Sequence, residues 1–264
     1  MPKIAILGCG WLGFPLAISL IKNRYSVTGT TTSIEKIPLL KVAGINGLVW
    51  SLSDIQTKES ISFLSSVDIL VLNIPPSKVK GEFDYSSSLH NLCLLLPVSI
   101  KVLFISSTSV YPENLIDANE NYSWQKSDFL NQNVLAENKL LEVLGKRLTI
   151  VRLAGLMGAN RHPIKSMINK KEILNGDSPV NLIHLNDAIG IIEKIIVLNF
   201  WGEIINGCFP LHPSKKEYYS KSANFFNLSV PNFVDGGELN KIVSNEKSIT
   251  QLKYTYSTSI LQFS

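Results

Sequence analysis

AILGCGWLGFPLAISLIKN, residues 5 to 23, decides how the rest of this chain is read. An apolar run ends at Gly8, a tight Gly-Cys-Gly turn follows, and apolar residues then return at helical spacing. Gly8, Gly10 and Gly13 stand in G-x-G-x-x-G order, and each has a physical task. Gly8 allows the sharp turn, Gly10 a close approach of backbone to a pyrophosphate, and Gly13 the packing of helix on strand. Amides opening a helix at Gly13 would meet phosphates with the positive end of its dipole. The expected cradle is therefore Gly8, Cys9, Gly10, Trp11, Leu12 and Gly13. Spacing alone is a weak signal, since a glycine turn between a buried strand and a helix can bind nothing. Context strengthens it, because a strand expected at Ser26–Thr30 closes a strand–helix–strand unit around the turn.

Outward from that unit, strand-like runs alternate with helix-length segments. Strands are expected at Lys3–Leu7, Ser26–Thr30, Gly47–Leu52, Asp68–Asn73, Val102–Ser106 and Thr149–Leu153. Several are almost uniformly apolar, as strands of a parallel sheet covered on both faces must be. Helices are expected at Gly13–Asn23, Glu82–Leu96 and Ser127–Gly145, the last with Phe129, Leu130, Val134, Leu135, Leu140, Leu141 and Leu144 as its buried stripe. Repeated units of this kind imply right-handed crossovers and an α/β fold: a Rossmann-type, doubly wound parallel sheet. After residue 155 prolines break the rhythm, with helices near Asn186–Leu198 and Ser214–Phe226 and a strand near Glu203–Gly207. The expected division is a dinucleotide-binding core over residues 1–155. A smaller C-terminal subdomain over 156–264 partly completes the sheet and covers the substrate side.

Composition excludes several classes. Of 264 residues, 45% are hydrophobic and 17% charged, as in a globular chain able to bury a full core. The formal charge of +4 comes from scattered lysines, so no nucleic acid partner is expected. Apolar stretches such as Ile69–Ile74 are too short to span a bilayer, so no membrane is expected either. Met1-Pro2-Lys3 leads directly into a strand, and Cys9, Cys93 and Cys208 fit neither a zinc site nor a disulfide framework. The expectation is a cytoplasmic monomer or homodimer with a small-molecule substrate and no metal.

Which dinucleotide depends on the end of the second strand. An NAD site usually places a carboxylate there for the ribose hydroxyls. Here Thr30, Thr31 and Thr32 occupy the turn and the first acid is Glu35. Hydroxyls, amides and Lys36 can meet a 2′-phosphate, so NADP is favoured over NAD.

Four further segments carry a family resemblance: FISSTSVYP (104–112), VRLAGLMGANRHP (151–163), VNLIHLNDAIGII (180–192) and NKIVSNEKSITQLKY (240–254). Together they resemble the extended and atypical short-chain dehydrogenases of the NAD-dependent epimerase/dehydratase superfamily. The last segment and the GCGWLG turn are similar to the YeeZ-like branch. The resemblance implies that Ser107, four positions before Tyr111, polarises a substrate oxygen; Tyr111, Tyr122 or a water held by Ser107 could serve as replacement acid. It implies that backbone at Asn73, Ile74 and Pro75 follows the adenosine, and that Arg161 reaches the substrate. Other readings stay open: Tyr111 as an anchor for its loop, Arg161 as a solvated loop residue, and His184 with Asp187 as organisers of a turn.

One departure stands out. Typical members shuttle a proton through a Tyr-x-x-x-Lys pair. Sliding that pattern over FLNQNVLAENKLL puts Phe129 and Asn133 at the two positions, or else Leu135 and Lys139. Neither alignment retains the pair. Two functions remain: an NAD(P)-dependent oxidoreductase or epimerase-like enzyme acting on a small polar, sugar- or nucleotide-linked metabolite, or a non-catalytic dinucleotide-binding sensor or partner-binding protein.

Overall fold

A computed structural model describes residues 1–54, 57–76, 84–158 and 160–263. Strands β1 (Lys3–Leu7), β2 (Ser26–Thr31), β3 (Asn46–Val49), β4 (Ile69–Leu72), β5 (Lys101–Ser107), β6 (Leu148–Leu153) and β9 (Ile204–Gly207) form one sheet in the order β3-β2-β1-β4-β5-β6-β9. Strands β7 (Gly155–Met157) and β8 (Leu182–His184) pair separately and in parallel. Strand β1 pairs with β2 and β4, β2 with β3, and β4 with β5, all in parallel. Residues 4–7 of β1 and all of β4 are buried, as expected where helices cover both faces. Order reverses beside β1, where β2 and β3 lie on one side and β4 on the other. A doubly wound sheet binds ligands at such a switch point, outside the carboxyl ends of its strands.

The helices follow local chemistry. Helix α1 (Gly13–Lys22) buries Leu16, Ala17 and Leu20, then stops before Arg24, which is left-handed at φ 67°. Helix α2 (Ile37–Val42) carries Pro38 in its first turn, where no amide partner is needed. Helix α3 (Tyr85–Leu95) is capped by Asp84 and stops at Leu96, ahead of Pro97. Helix α4 (Gln132–Leu144) is capped by Asn131 and ends at Gly145, φ 50°. Beyond it come α5 (Ile164–Met167), α6 (Leu185–Val197), α7 (Lys215–Phe225, capped by Ser214) and α8 (Glu246–Thr250).

Two expected elements differ. The third strand ends at Val49, and Leu52–Asp54 forms a 3-10 turn. The helix expected from Ser127 is broken: Lys126–Leu130 is a 3-10 turn, and Asn131 is extended before α4 begins. The expected stripe therefore runs across two elements. Phe129 is 39% exposed, Leu130 and Leu141 are also exposed, and the face that packs inward is Val134, Ala136, Glu137, Leu140 and Leu144. Of the helix expected from Glu82, residues 82 and 83 lie outside the described residues.

The chain forms two compact units. The first comprises Met1–Ser106, Gln125–Val151 and Ile195–Ile204; the second comprises Ser107–Trp124, Arg152–Lys194 and Ile205–Ser264. Each has its own core, with Leu7, Leu72, Leu89, Phe104 and Leu140 in the first and Met157, Ile164, Tyr218, Ala223 and Ile260 in the second. Among the described residues, no helix is long and apolar enough to cross a membrane.

Candidate functional site

In the first unit the glycine turn lies at the end of β1. Gly8 has φ +101°, and a Cβ there would sit 2.5 Å from the carbonyl oxygen of Asn73. A Cβ on Gly13 would overlap the Gly8 carbonyl oxygen, and one on Gly29 would overlap Cys9 Sγ. A Cβ on Gly10 meets nothing within 4 Å. Gly8 and Gly13 are thus demanded by the fold, whereas Gly10 borders open space.

The Gly8 residue is held at both ends. Its N–H donates to Thr30 Oγ1 at 3.1 Å, and its carbonyl accepts from Asn73 Nδ2 at 2.8 Å. Cys9 N–H donates to the Thr30 carbonyl at 2.8 Å, and Asn73 N–H to the Leu7 carbonyl at 2.9 Å. Cys9 packs inside, its thiol pushed up to about 12 by burial, so it fills space as a neutral group. Leu12 is buried and Trp11 half-buried. No side chain caps the start of α1, because the N-cap position is Leu12. These features fit a dinucleotide: a rigid turn, open space at Gly10, and a helix start left for an anion.

At the end of β2 the expectation changes. Thr30 is buried and its hydroxyl serves Gly8, while Thr31 is buried and accepts from Ser33 N–H at 3.2 Å. Neither presents its hydroxyl outward to a 2′-phosphate; Thr32 alone of the three is exposed. The Ser33 hydroxyl donates to Glu35 and holds that carboxyl below its ordinary range. At β4, the Ile74 carbonyl accepts from Tyr85 OH at 2.7 Å and Pro75 is exposed. Gly8–Gly13, Thr30 and Asn73 therefore come together at the carboxyl ends of β1, β2 and β4.

Neither alignment of the proton-shuttle pattern forms a pair on α4. Phe129 and Asn133 are separated by extended Asn131, whose side chain caps the Asn133 N–H at 2.9 Å. Lys139 instead reaches the start of α3, 2.7 Å from Ser87 Oγ and 3.3 Å from Asp84 Oδ2. The Ser87 and Ser86 hydroxyls, with Lys139, hold Asp84 well below the usual carboxylate range. Glu137, fully buried, accepts from Ser106 Oγ at 2.5 Å at the end of β5.

In the second unit Ser107 is half-exposed. Its Oγ accepts from Ser109 N–H at 3.1 Å, opening a 3-10 turn at Thr108–Val110. Tyr111 is 2% exposed; its hydroxyl accepts from Arg152 Nη1 at 2.7 Å and donates to Asn206 Oδ1 at 2.9 Å. The Arg152 guanidinium lies 5.0 Å from the Tyr111 ring centroid and 4.8 Å from that of Trp124. Burial pushes the Tyr111 phenol up to about 12, although Arg152 pulls the other way. The geometry fits an anchor for the loop.

Arg161 is exposed and lines a cavity of about 540 Å³ with Asn160, His162, Lys165, Ser166 and Leu182. Its tight turn is closed by reciprocal 2.9 Å backbone bonds with Gly158. His162 is buried: Nδ1 accepts from Ile164 N–H at 3.2 Å and Nε2 lies 3.0 Å from Tyr218 OH. Burial lowers its pKa to about 4, so it is neutral at pH 7. His184 Nδ1 accepts from Asn186 N–H at 3.1 Å, and buried Asp187 accepts from Tyr254 OH and from the Ser257 and Thr258 amides. Both organise chain around α6. Among the described residues, no group of three or more ligand types could hold a metal.

Gly29, Glu137 and Arg152 were not singled out from sequence. Each had a signal: a glycine inside a strand marks close approach, Arg152 opens the family-like part of segment 151–163, and Glu137 lies in the segment compared with the proton-shuttle helix.

No family model matches the chain. It is 30% identical over 267 residues to Protein YeeZ of Escherichia coli (strain K12), with 97% of this chain and 96% of that protein covered. The chain belongs to the YeeZ family. The branch resembled by its motifs is thereby borne out. Among solved structures, this YeeZ-family chain resembles a UDP-glucuronic acid 4-epimerase from Bacillus cereus in complex with NAD, with TM-score 0.76 and 18% identity over 98% of this chain and 93% of that one. It also resembles a short-chain dehydrogenase/reductase superfamily protein from Agrobacterium tumefaciens with bound NAD, with TM-score 0.79 and 14% identity over 99% and 94%. At those identities the likeness establishes the Rossmann-type fold.

Proposed function

We propose that this YeeZ-family chain binds NAD(P) over the Gly8–Gly13 turn. It then acts as an oxidoreductase or epimerase on a small polar metabolite of sugar- or nucleotide-linked kind, without a Tyr-x-x-x-Lys pair. The observation that carries the reading is the contrast among the glycines. Positions 8 and 13 have no room for a Cβ, while position 10 opens onto space beside an uncapped helix start. Bound NAD(P) supplies hydride chemistry. The chain's own part is to hold the pyrophosphate with the amides of residues 10–13 on a turn that Thr30 and Asn73 keep rigid.

NADP is favoured, because residues 30–34 carry no acid and Glu35 is occupied by Ser33. The half-exposed Ser107 hydroxyl is the proposed catalytic residue that polarises a substrate oxygen. Arg161 and neighbouring Lys165 would meet an anionic part of the substrate. Tyr111, buried and doubly hydrogen-bonded, is better read as the anchor of the Ser107 turn than as an acid. The NAD bound to the two structural relatives supports the cofactor class. Three buried free thiols suit the reducing cytoplasm.

A second reading, a dinucleotide-binding sensor without turnover, is favoured by one observation: Lys139 is engaged at the start of α3. Fluorescence titration with NADPH and NADH, followed by a panel of sugar nucleotides and carbonyl compounds, separates the two. Binding with turnover supports the enzyme, and binding without it the sensor. Gly10→Val should abolish binding in a folded protein, since the new Cβ meets no protein atom within 4 Å. An unchanged titration would remove the cradle altogether.

A further inference from the structure

The tail segment 240–254 has no part in the proposed cofactor or substrate contacts, yet it passes beside the Ser107 turn. Lys241 N–H donates to the Glu113 carbonyl at 3.0 Å, and Ala118 N–H donates to the Ile242 carbonyl at 2.9 Å. Asn181 fixes the tail from another side: its Nδ2 donates to the Lys241 carbonyl at 2.8 Å, and its Oδ1 accepts from Val243 N–H at 2.9 Å. Held in that way, the Lys241 side chain is buried and delivers its ammonium to one short stretch of chain. Nζ lies 2.7 Å from Glu113 Oε1 and 3.4 Å from both the Thr108 and the Tyr111 carbonyl oxygens.

An ammonium has three donors, and three acceptors surround this one. Two of them are the carbonyls at either end of the 3-10 turn that Ser107 opens. We propose that Lys241 is a positioning residue for Ser107: its ammonium ties the two ends of the Thr108–Tyr111 turn together and fixes where the Ser107 hydroxyl points. Glu113 supplies the counter-charge that lets a lysine be buried there. Tyr111 anchors the turn from its side chain through Arg152 and Asn206, while Lys241 grips its backbone. The two holds are independent. The functional part of the inference rests on Ser107 being a substrate-facing group; the clamp itself does not.

The test uses the full chain with Lys241→Met, which keeps the apolar stem and removes the donors, and Lys241→Arg, which restores them. Hydrogen exchange at the Ser109 and Tyr111 amides should accelerate about tenfold in Lys241→Met while β1 amides keep native rates. Lys241→Arg should recover most of that protection. In NADPH-dependent reduction of 9,10-phenanthrenequinone, Lys241→Met should lower kcat about 10- to 100-fold at unchanged KM, and Lys241→Arg should recover it. Native exchange at both amides in a folded Lys241→Met would overturn the clamp. Equal acceleration throughout the second unit would also overturn it, and accelerated exchange with undiminished kcat would overturn the positioning role of Lys241 towards Ser107. If Lys241→Met fails to fold, Glu113→Gln, at an exposed carboxylate, must show the same local acceleration. If the native chain binds no NADPH, the cofactor reading fails on its own; if it binds NADPH but does not turn over the quinone, the catalytic reading fails; in both cases exchange alone judges Lys241.

Discussion

Replacing Thr30 by Val tests whether the glycine turn is prebuilt. Valine keeps the shape and β-branching that a strand residue needs, and removes only the hydroxyl that accepts from Gly8 N–H at 3.1 Å. Thr30 is 2% exposed, so no solvent replaces the lost acceptor from its own side, while half-buried Gly8 can recover part of the bond. The cost of an unsatisfied donor, about 1–3 kcal/mol when fully buried, should then fall at about 1–2 kcal/mol. For a chain of this size that is a melting point lower by about 2–8 °C. If the loosened turn must be re-formed on binding, the Kd for NADPH rises by at most about 5- to 30-fold. Thermal melts and fluorescence titration read both effects, with Thr250→Val, at an exposed hydroxyl in α8, as the control. A Thr30→Val protein that melts and binds like the control would refute the idea that the Gly8 peptide is held from β2.

NADPH should bind more tightly than NADH in titrations, and Thr32→Asp should reverse that order by repelling a 2′-phosphate; equal affinities in the native chain would show that the β2 turn is misread. Asp187→Asn should destabilise by about 2–3 kcal/mol, because an amide sets donors against the Tyr254 hydroxyl and the Ser257 and Thr258 amides. Limited proteolysis should then cut the tail beyond residue 253, and an uncut tail counts against that pinning role. His162 is neutral in the fold, with its pKa lowered to about 4 by burial, so the unfolded chain binds the extra proton first. Its contribution to stability is complete above about pH 6.5 and is lost as pH falls towards 4. Urea midpoints measured across that window should slope less in His162→Gln, and an identical slope would assign the titration elsewhere.

Where burial on both faces made a run uniformly apolar, as in β1 and β4, sequence alone was enough. The glycine turn was equally legible from its spacing, although only Gly8 and Gly13 meet a steric demand, and the atom that crowds Gly8 belongs to distant Asn73. Legibility failed where periodicity ran through a cap. Asn131 is a strong N-cap residue, yet apolar residues on both sides suggested one helix, and Phe129 and Leu130 were placed on a buried face they do not share. The third strand was overextended for a related reason: Trp50 and Leu52 are buried, but beyond the strand's end. Side-chain direction at Thr30 depended on an amide 22 residues away. The hold of Lys241 on Thr108 spans 133 residues, a relation no local pattern carries.

The interleaving of the two units has a consequence for how the protein is made. Thr149 Oγ1 donates to the Phe200 carbonyl and Ile150 N–H to the Glu203 carbonyl, all within the first unit. The sheet edge at β6 therefore stays open until residues 195–204 have left the ribosome, about 50 residues after β6 itself. At usual translation speeds that is roughly 3–10 s with an exposed, apolar strand edge. During that interval the nascent chain is vulnerable to pairing with a neighbour on the same message. A chaperone that shields β6 would have its greatest effect before residue 204 appears, and synonymous codons that slow synthesis between β6 and β9 should lower soluble yield.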